Sequence, residues 1–391
     1  MKTFGINRRN LIKTAVAGAA VGAMDVWNGR IGQAASTDKL RAAATASTAK
    51  GATIKVAGYD YDRVRAIMDG QVGIEGSDVS FHYEDIYAVN DYAFGPNPKY
   101  EVSELGLIPY MTKYINQDFR TYTLIPVFIS RIFRHRNVFV HADSGITTPQ
   151  DLRGKRVGTP GYGMSANTWI RGFLLDEYGV KADDMQWIET TKSSDQGKLG
   201  DSGWSAFEDG KSKYFFPADF PLEQGPPGID ESELLLSGGC DALITAITPK
   251  SFLEGNPKIK RLFPDVRAAE QDYFKKTGLF PIMHVVGIRT DAIKANPGLP
   301  KAVFEMYSKA KQIAYANLET TTSLKVTLPW VTQEFEDTRA LMGDNFWPYG
   351  VNANRKELEL VMRYIHEQGL AKRRQKVDEV FHPSTLELSE T

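Results

Sequence analysis

The chain has 391 residues, of which 42% are hydrophobic and 24% are charged, so it is long enough to form two lobes with cores of their own. Its formal net charge is −1 and it has no basic tract interleaved with aromatic residues, which argues against a nucleic-acid-binding protein. Its one cysteine, Cys240, excludes an internal disulfide and a thiolate metal cluster, and the apolar sequence around it indicates a small buried side chain.

Residues 1–35 have the layout of a twin-arginine export signal. The pair Arg8 and Arg9 precedes a run of small apolar residues at 14–24, and further small residues after it offer a cleavage site. This run is too short to span a bilayer. An acidic and a basic residue between the run and the cleavage site depart from the usual layout. The sequence therefore predicts a periplasmic protein, exported by the twin-arginine pathway, whose residues 36–51 form a flexible leader.

The remainder of the chain is predicted to alternate strands and helices, as βαβ units do. The first predicted elements are strands at residues 53–59, 79–83 and 102–107 and helices at 63–70 and 108–117. The second set consists of strands at residues 156–159, 185–189 and 241–245, with a helix that begins at Ser165. The last set is a strand at residues 283–289 followed by helices at 300–318, 330–342 and 355–368. Residues 193–230 are polar, contain many Gly and Pro residues, and carry no clear prediction.

This order predicts a two-lobed α/β protein in which the second lobe is inserted into the first. Residues 52–140 and 281–391 would form the first lobe, and residues 141–280 would form the second. The chain would cross between the lobes near residues 138–143 and 278–284. A ligand would then be held in the cleft between the lobes.

The turn between the strand at residues 156–159 and the next helix is predicted to bind an anion. Gly163 allows a ligand to approach closely, and Met164 and Ser165 open the helix, where free N–H groups and the positive end of the helix dipole meet. Ser165 adds a hydroxyl donor. Arg171, further along the helix, either lines the pocket or is solvated. An ordinary structural turn of this composition is the alternative interpretation.

Four basic side chains interrupt an apolar, strand-like segment at residues 124–140: Arg131, Arg134, His135 and Arg136. An unpaired charge inside a strand that is buried on both faces is strongly unfavourable, so such groups need a compensating partner. Because Arg can hold a carboxylate bidentately, we predict that these groups bind an anionic ligand together with the turn. The alternative is that they pair with acids of the chain itself or lie on a solvated edge.

Three further residues are candidates for the ligand site. Tyr59 ends the first predicted strand, Asp241 begins the strand at 241–245, and His284 lies at the start of the strand at 283–289. For His284 and Asp241 a purely structural role is the alternative. The aromatic stretch at residues 346–350 is interpreted as packing between two helices. The six histidines form no HxH or HExxH pattern, so no metal or other cofactor is predicted, although a metal site assembled from distant residues stays open.

Five segments, spread over nearly the whole chain after the export signal, resemble the 4,5-dihydroxyphthalate decarboxylase family: EVSELGL, PVFISRIFRHRNVFV, DLRGKRVGTPGYGMSANTWIRGFLLDEYGV, GLFPIMHVV and TRALMGDNFWPYGVNANR. That family is similar in fold to the type 2 periplasmic solute-binding proteins of ABC importers. The resemblance implies a mixed sheet flanked by helices in each lobe and a ligand that is a small organic carboxylate, aromatic or otherwise. The pocket residues that it implies are Glu104, Arg131, Arg134, His135, Met164, Ser165, Arg171 and His284.

Two functions of different classes are compatible with these residues. The interpretation that the export signal favours is a solute-binding protein, which captures a small organic anion and hands it to an ABC-type membrane permease. The alternative is a decarboxylase that needs no cofactor and acts on a hydroxylated aromatic acid. In that case His135 or His284 would protonate the ring, Glu104 would hold a phenol hydroxyl, and arginines would fix the retained carboxylate. Tight arginine contacts to the departing carboxylate would stabilise the ground state and oppose catalysis.

Overall fold

Two mixed β-sheets flanked by helices, one in each lobe, dominate the part of the chain that the computed structural model describes, namely residues 53–194, 207–208, 211–212, 216 and 221–390. The predicted fold class is therefore confirmed. The predicted export signal and leader lie outside the described residues. Within the described ranges, no helix combines the length and the apolar character that a membrane crossing requires.

Most of the predicted strands and helices are present, with their ends shifted by one or two residues. The strands are β1 (Thr53–Gly58), β2 (Asp78–Tyr83), β3 (Val102–Gly106), β4 (Tyr122–Arg131), β5 (Val138–His141), β6 (Arg156–Thr159), β7 (Gln186–Glu189), β8 (Phe207–Glu208), β9 (Lys211–Ser212), β10 (Glu223–Gln224), β11 (Ala242–Ile244), β12 (Ile259–Arg261) and β13 (Ile282–Arg289). The α-helices are α1 (Asp62–Met68), α2 (Ile86–Phe94), α3 (Leu107–Gln117), α4 (Ser165–Tyr178), α5 (Glu231–Leu236), α6 (Lys250–Leu253), α7 (Val266–Thr277), α8 (Thr290–Ala295), α9 (Leu299–Glu319), α10 (Val331–Met342) and α11 (Arg355–Glu367). Strands β8 and β9 pair with each other as a separate antiparallel two-stranded sheet.

The first sheet has the strand order β2-β1-β3-β13-β4. Strand β1 runs parallel to β2 and β3, whereas β13 is antiparallel to β3 and β4. Every residue of β3 is buried, as expected for a strand covered by helices on both faces of its sheet. Because β13 is antiparallel to β3, the amino end of β13 lies beside the carboxyl end of β3.

The second sheet has the strand order β10-β7-β6-β11-β5-β12. Strands β10, β7, β6 and β11 are parallel, and β5 is antiparallel to both of its neighbours. The carboxyl ends of β6 and β11 therefore share one edge of the sheet, where β6 leads into α4 and β11 leads into Thr245 and Ala246. In open α/β sheets, ligands bind outside the carboxyl ends of the strands.

The segment at residues 124–140, predicted to be one strand, is two strands that belong to different sheets. Strand β4 ends, the chain crosses to the second lobe at residues 132–137, and β5 begins. This first crossing lies a few residues before its predicted position. The second crossing, at residues 278–281, runs beside it, and the Ile132 amide donates to the Pro281 carbonyl oxygen at 3.2 Å. Charged residues interrupt the apolar run because the chain leaves its sheet there.

The C-terminal helix α11 joins the first lobe to α4 of the second lobe. Gly172 of α4 lies directly against the ring of Tyr364, so a larger side chain does not fit at this position. The Tyr364 hydroxyl donates to Asp176 of α4 at 2.6 Å. Just after α11, the side-chain amide of Gln368 donates to the Thr168 carbonyl oxygen at 2.9 Å. The lobes are thus held by side-chain contacts as well as by the two crossings.

Candidate functional site

Glu104, His284 and two tyrosines meet at the edge of the first sheet where β1 and β3 end and β13 begins. Glu104 lies in β3, and His284 lies in β13, where its Cα pairs with Gly106 in the sheet register. Tyr59 and Tyr61 follow directly after β1. The antiparallel pairing of β13 with β3 is what brings the carboxylate and the imidazole together. We call Tyr59, Tyr61, Glu104 and His284 the Glu104 cluster.

The Glu104 carboxylate accepts hydrogen bonds from the other three members of the cluster. Its Oε1 lies 2.6 Å from Nδ1 of His284 and accepts from the Tyr61 hydroxyl at 2.8 Å. Its Oε2 accepts from the Tyr59 amide at 3.0 Å. Glu104 is only 2% exposed, so these contacts replace water as its partners. Because the carboxylate oxygens act as acceptors in these contacts, we assign the proton in the contact with His284 to Nδ1 of the imidazole.

His284 has a second ring nitrogen, Nε2, that makes no hydrogen bond to any residue in the described ranges. With Nδ1 donating to Glu104, Nε2 carries a lone pair in the neutral ring and a proton in the charged ring. The side chain is 17% exposed. Its ring stacks on Tyr59, with 6.3 Å between the ring centroids and 13° between the ring planes. Glu104 and Tyr59 therefore orient the imidazole, and Nε2 is left to exchange a proton with a ligand.

The two phenols act as protonated groups. Burial, reinforced by the charge of Glu104, raises the pKa of Tyr61, and a hydrogen bond with Ser130 acts in the opposite direction. Burial likewise raises the pKa of Tyr59. Tyr61 therefore keeps its proton at neutral pH and donates it to Glu104 in a hydrogen bond.

The predicted anion-binding turn lies at the carboxyl end of β6, and its residues are buried. The Ser165 hydroxyl oxygen accepts from the Ile108 amide at the start of α3, at 3.1 Å, so the turn touches the first lobe. Met164 packs against Tyr87 of the first lobe. The turn, with Gly163 inside it, therefore lies at the junction of the two lobes.

Arg134 is a buried guanidinium at the first crossing and is 8% exposed. Its Nε lies 3.3 Å from the sulfur of Met283, the neighbour of His284, and its Nη1 donates to the carbonyl oxygen of Ala246 in the second lobe at 2.9 Å. Burial lowers the pKa of Arg134 to about 10, so it stays charged at neutral pH. In the described part of the chain, no carboxylate lies within ion-pairing distance of Arg134, and its Nη2 donates to no protein acceptor. Arg134 thus offers an anion a positive charge beside the Glu104 cluster.

Arg131, also predicted to bind the ligand, is a structural residue of the first lobe. Its side chain is 1% exposed, and Glu357 lies 3.8 Å away. Its terminal nitrogens donate to the carbonyl oxygens of Phe280 at 3.0 Å and Pro348 at 3.2 Å. The prediction is corrected because β4 directs this side chain into the protein, where carbonyl groups take up both terminal nitrogens, although its buried Nε has no acceptor among the described residues.

His135, a predicted catalytic acid, lies in an aromatic core of the second lobe. Its ring stacks on Phe173 with 4.3 Å between the centroids and lies edge-on to Phe263 at 5.2 Å. The residue is 2% exposed, and burial lowers its pKa to about 4. The prediction is corrected because a buried imidazole that is neutral at pH 7 has neither the proton nor the access that a general acid needs.

Arg171 and Asp241 also lie away from the Glu104 cluster. Arg171 is 1% exposed and donates to the Tyr162 carbonyl oxygen at 2.9 Å and to Gln368 at 2.8 Å, so it supports the turn from within the protein. Asp241 precedes the amino end of β11, at the edge of the sheet opposite to the lobe junction, and accepts from the Arg156 amide at 2.9 Å. The ligand-binding prediction for Asp241 is corrected because the residue lies at the amino end of its strand. Arg171 keeps one buried terminal nitrogen, Nη1, without a hydrogen-bond partner among the described residues, so its ligand contact stays a prediction.

Three other features match their structural interpretation. Arg136 forms two hydrogen bonds to Glu270, at 3.0 and 3.2 Å, so an acid of the chain itself compensates it. Trp347 of the aromatic stretch packs edge-on against Phe280, with 5.3 Å between the ring centroids. Cys240 is 2% exposed. Among the described residues, no three His, Cys, Asp or Glu side chains lie close enough to hold a metal ion.

Tyr61 and Ser130 are site residues that the sequence analysis missed. Tyr61 follows Tyr59 by two positions at the end of the first strand, so the tendency of ligands to bind beyond the carboxyl ends of strands pointed to it. Ser130 pairs with His284 in the register of β4 and β13. Its signal in the sequence is no more than a polar residue in an apolar strand.

A family model and three known proteins resemble this chain. A model described as NMT1/THI5 like matches residues 127–206. A 4,5-dihydroxyphthalate decarboxylase from Comamonas testosteroni is 36% identical over 338 residues, which cover 85% of this chain and 97% of that protein. A protein of the same name from Pseudomonas putida is 34% identical over 222 residues, 57% of this chain and 81% of that protein. The periplasmic aliphatic sulphonate binding protein SsuA from Escherichia coli aligns with a TM-score of 0.46 and 12% identity, over 86% of this chain and 99% of that chain.

Proposed function

The chain belongs to the 4,5-dihydroxyphthalate decarboxylase family, and on that basis we propose that it is a carboxy-lyase that removes CO2 from a hydroxylated aromatic dicarboxylate. The observation that carries the proposal is the contact of 2.6 Å between Nδ1 of His284 and Oε1 of Glu104. This contact leaves an oriented imidazole whose other nitrogen is available as a general acid. Loss of CO2 from an aromatic ring requires such an acid.

The reaction replaces the bond between a ring carbon and its carboxylate carbon by a carbon–hydrogen bond. Nε2 of the charged His284 gives its proton to the ring carbon that bears the departing carboxylate. The hydroxyl group para to that carbon supplies electron density to the ring as the proton arrives. The bond to the carboxylate then breaks, its electron pair restores the aromatic ring, and CO2 leaves. Solvent returns a proton to the imidazole, so each turnover consumes one proton from solution.

Glu104 supports this step through its contact with His284. The carboxylate fixes the tautomer and the orientation of the ring, and its negative charge stabilises the imidazolium that donates the proton. Because Glu104 is buried, this interaction is stronger than the same contact in water.

Arg134 is proposed to hold the carboxylate that stays on the ring. It has an Nη2 group without a protein acceptor in the described ranges, and it lies next to the residue that precedes His284. A guanidinium on the departing carboxylate would stabilise the ground state, so the cation must engage the neighbouring group instead. This requirement favours substrates with two carboxylates on adjacent ring carbons.

The proposal is tested by incubating the purified protein with 4,5-dihydroxyphthalate in deuterated buffer and following CO2 and the ring product. We expect CO2 release and a solvent deuteron on the ring carbon that has lost its carboxylate. Glu104→Gln should lower the rate strongly, whereas Glu305→Gln, a half-exposed helical control, should not. Binding of the compound without any CO2 release would contradict the proposal.

Capture without turnover is the second candidate function. The Nη2 group of Arg134, which has no acceptor among the described residues, suits the binding of an anion, and the twin-arginine layout of residues 1–35 suits a protein that does so outside the cytoplasm. A thermal-shift screen of phthalates and related carboxylates separates the two functions. Capture predicts stabilisation by the ligand and no CO2, and it requires an ABC-type permease as partner.

Export through the twin-arginine pathway is proposed on the sequence of residues 7–24 alone. Fractionation of cells that express the full chain should find the mature protein in the periplasm. Replacing Arg8 and Arg9 with Lys should retain it in the cytoplasm. A wild-type protein that stays in the cytoplasm at full length would overturn this proposal.

A further inference from the structure

We propose that Arg63 is a positioning residue for the Glu104 cluster. Arg63 acts through Tyr61 and Glu104 to set the proton affinity of His284. Its meaning for catalysis rests on the proposed function, but the effect on His284 is a property of the protein without substrate. Arg63 is the second residue of α1, and the Tyr61 ring lies between its guanidinium and the Glu104 carboxylate.

The guanidinium of Arg63 is held between two aromatic rings. Its central carbon lies 3.9 Å from the centroid of the Tyr61 ring and 4.2 Å from the centroid of the Trp347 ring. Its Nε donates to the Ile129 carbonyl oxygen at 2.7 Å. The side chain is 13% exposed, and the attraction of a cation to ring faces is largest where water is excluded. Arg63 therefore restrains the plane of the Tyr61 ring.

Trp347 forms a fixed wall on the other side of Arg63. Its indole N–H donates to the Phe128 carbonyl oxygen at 2.8 Å, and its backbone amide donates to the Tyr315 hydroxyl at 2.9 Å. Its own carbonyl oxygen accepts from the buried Lys311 at 2.5 Å. Because the indole and the backbone of Trp347 are both hydrogen-bonded, Trp347 is fixed. The orientation that depends on Arg63 is therefore that of the Tyr61 ring.

Tyr61 transmits this restraint to the catalytic pair. Its hydroxyl donates to Oε1 of Glu104 at 2.8 Å, and the same oxygen lies 2.6 Å from Nδ1 of His284. Two donors on one oxygen share its negative charge. When the Tyr61 bond is lost, more of that charge acts on His284, so the imidazolium is stabilised and its proton is released at a higher pH.

Other titratable or charged groups also face the Glu104 cluster. They are Tyr83 and Asp85 beside Tyr59, Tyr307 beside Glu104, Arg134 near Tyr61, and Asp62, which pairs with Arg63 itself at 3.3 Å. Removing the charge of Arg63 would itself raise the proton affinity of His284 through space. A test must therefore separate the path through Tyr61 from this direct effect.

A double-mutant cycle makes this separation. The titration of the His284 ring is followed by NMR in the full-length protein without ligand, for wild type, Arg63→Met, Tyr61→Phe and the double variant. We expect both single variants to move the midpoint of His284 to higher pH, and the double variant to move it by clearly less than the sum of the two single shifts, because only the direct effect of the charge is left to add. Arg65→Met, an exposed arginine of the same helix, is the control and should leave the midpoint unchanged.

Kinetics provide a second readout on the same variants. We expect Arg63→Met to lower kcat by roughly tenfold with little change in KM, the scale of one hydrogen bond lost in the transition state. The descending limb of the pH profile of Arg63→Met should shift to higher pH. Arg63→Lys keeps a cation between the rings, so its kcat and its pH profile should lie close to those of the wild type.

Two results would overturn the inference. Additive shifts in the double variant would mean that Arg63 acts by charge alone, and an unchanged His284 titration with reduced activity would mean a purely structural role. If Arg63→Met does not fold, Arg63→Gln is read in the same way. If the wild type releases no CO2, the proposed function fails, while the His284 titration still decides the role of Arg63.

Discussion

Nδ1 of His284 lies 2.6 Å from Oε1 of Glu104, although the two residues are 180 positions apart in the chain. The contact joins β3 to β13, the strand by which the chain returns from the second lobe. His284 is thus close to the second crossing, and Arg134 lies on the first. The proposed proton donor and the proposed anion anchor are therefore both placed by the connections between the lobes.

The position of the Glu104 carboxylate leaves no room for a side chain at residue 58, which is Gly58. A Cβ at Gly58 would lie 2.6 Å from Oε2 of that carboxylate. We expect Gly58→Ala to displace the carboxylate, to lower kcat and to destabilise the fold by about 1–3 kcal/mol, as overpacking of a core does. Gly73→Ala is the control, because a Cβ there meets no atom within 4 Å. Urea unfolding and kcat measure both effects, and equal behaviour of the two variants would argue against a tightly held Glu104.

Arg134 is expected to contribute to binding and not to stability. A buried guanidinium without an acidic partner in the described ranges carries an uncompensated desolvation cost, so Arg134→Met should leave the free energy of unfolding unchanged or raise it. The same variant should weaken the binding of phthalate by roughly tenfold or more, because a charged hydrogen bond is lost. Isothermal titration and urea unfolding provide the two values.

The matched control for this prediction is Arg136→Met. Arg136 is two positions away, half exposed and paired with Glu270, so its loss should barely affect phthalate binding. If both variants bind phthalate as the wild type does, Arg134 is not the anion anchor.

His135 is expected to affect acid stability and not catalysis. Burial lowers its pKa from 6.5 to about 4 in the folded state. A lowered histidine pKa contributes stability that is present above pH 6.5 and is lost as the pH falls towards 4. Relative to His135→Leu, the wild type should therefore lose up to about 3 kcal/mol across this interval. Urea unfolding at several pH values measures the difference.

The same variant tests the catalytic role that the sequence suggested for His135. At pH 7 we expect His135→Leu to keep its kcat within about threefold of wild type, as a substitution remote from the reacting groups does. A large drop in kcat with normal stability would restore His135 as a candidate acid.

The parts of the fold that were predictable from the sequence have a clear local pattern. Strand β6 and the start of α4 are separated by a glycine turn, and α11 has an apolar stripe at helical spacing. The segment at residues 124–140 was predicted wrongly because an apolar run does not reveal that the chain changes sheets within it. A continuous run of apolar residues indicates burial, and both strands of that segment are buried, although they belong to different sheets.

The candidate site was only partly predictable, because its geometry depends on contacts between distant residues. Glu104 was identified through the family resemblance and His284 by its position at the start of a predicted strand, and no spacing rule places them together. Arg131 and Arg134 look alike in the sequence, yet both terminal nitrogens of Arg131 donate to carbonyl oxygens, whereas Nη2 of Arg134 has no acceptor among the described residues. Which way a side chain points at a crossing is decided by tertiary packing.

If Nε2 of His284 delivers the proton to the ring, His284→Gln should abolish most of the activity without preventing substrate binding. Gln keeps a polar side chain of similar reach but has no group that can act as an acid at neutral pH. We expect kcat for 4,5-dihydroxyphthalate to fall by about a hundredfold or more, the scale of general acid catalysis, with Kd within about threefold of wild type. His366→Gln, an exposed histidine at the end of α11, should retain full kcat. A His284→Gln protein that turns over at the wild-type rate would mean that another group delivers the proton.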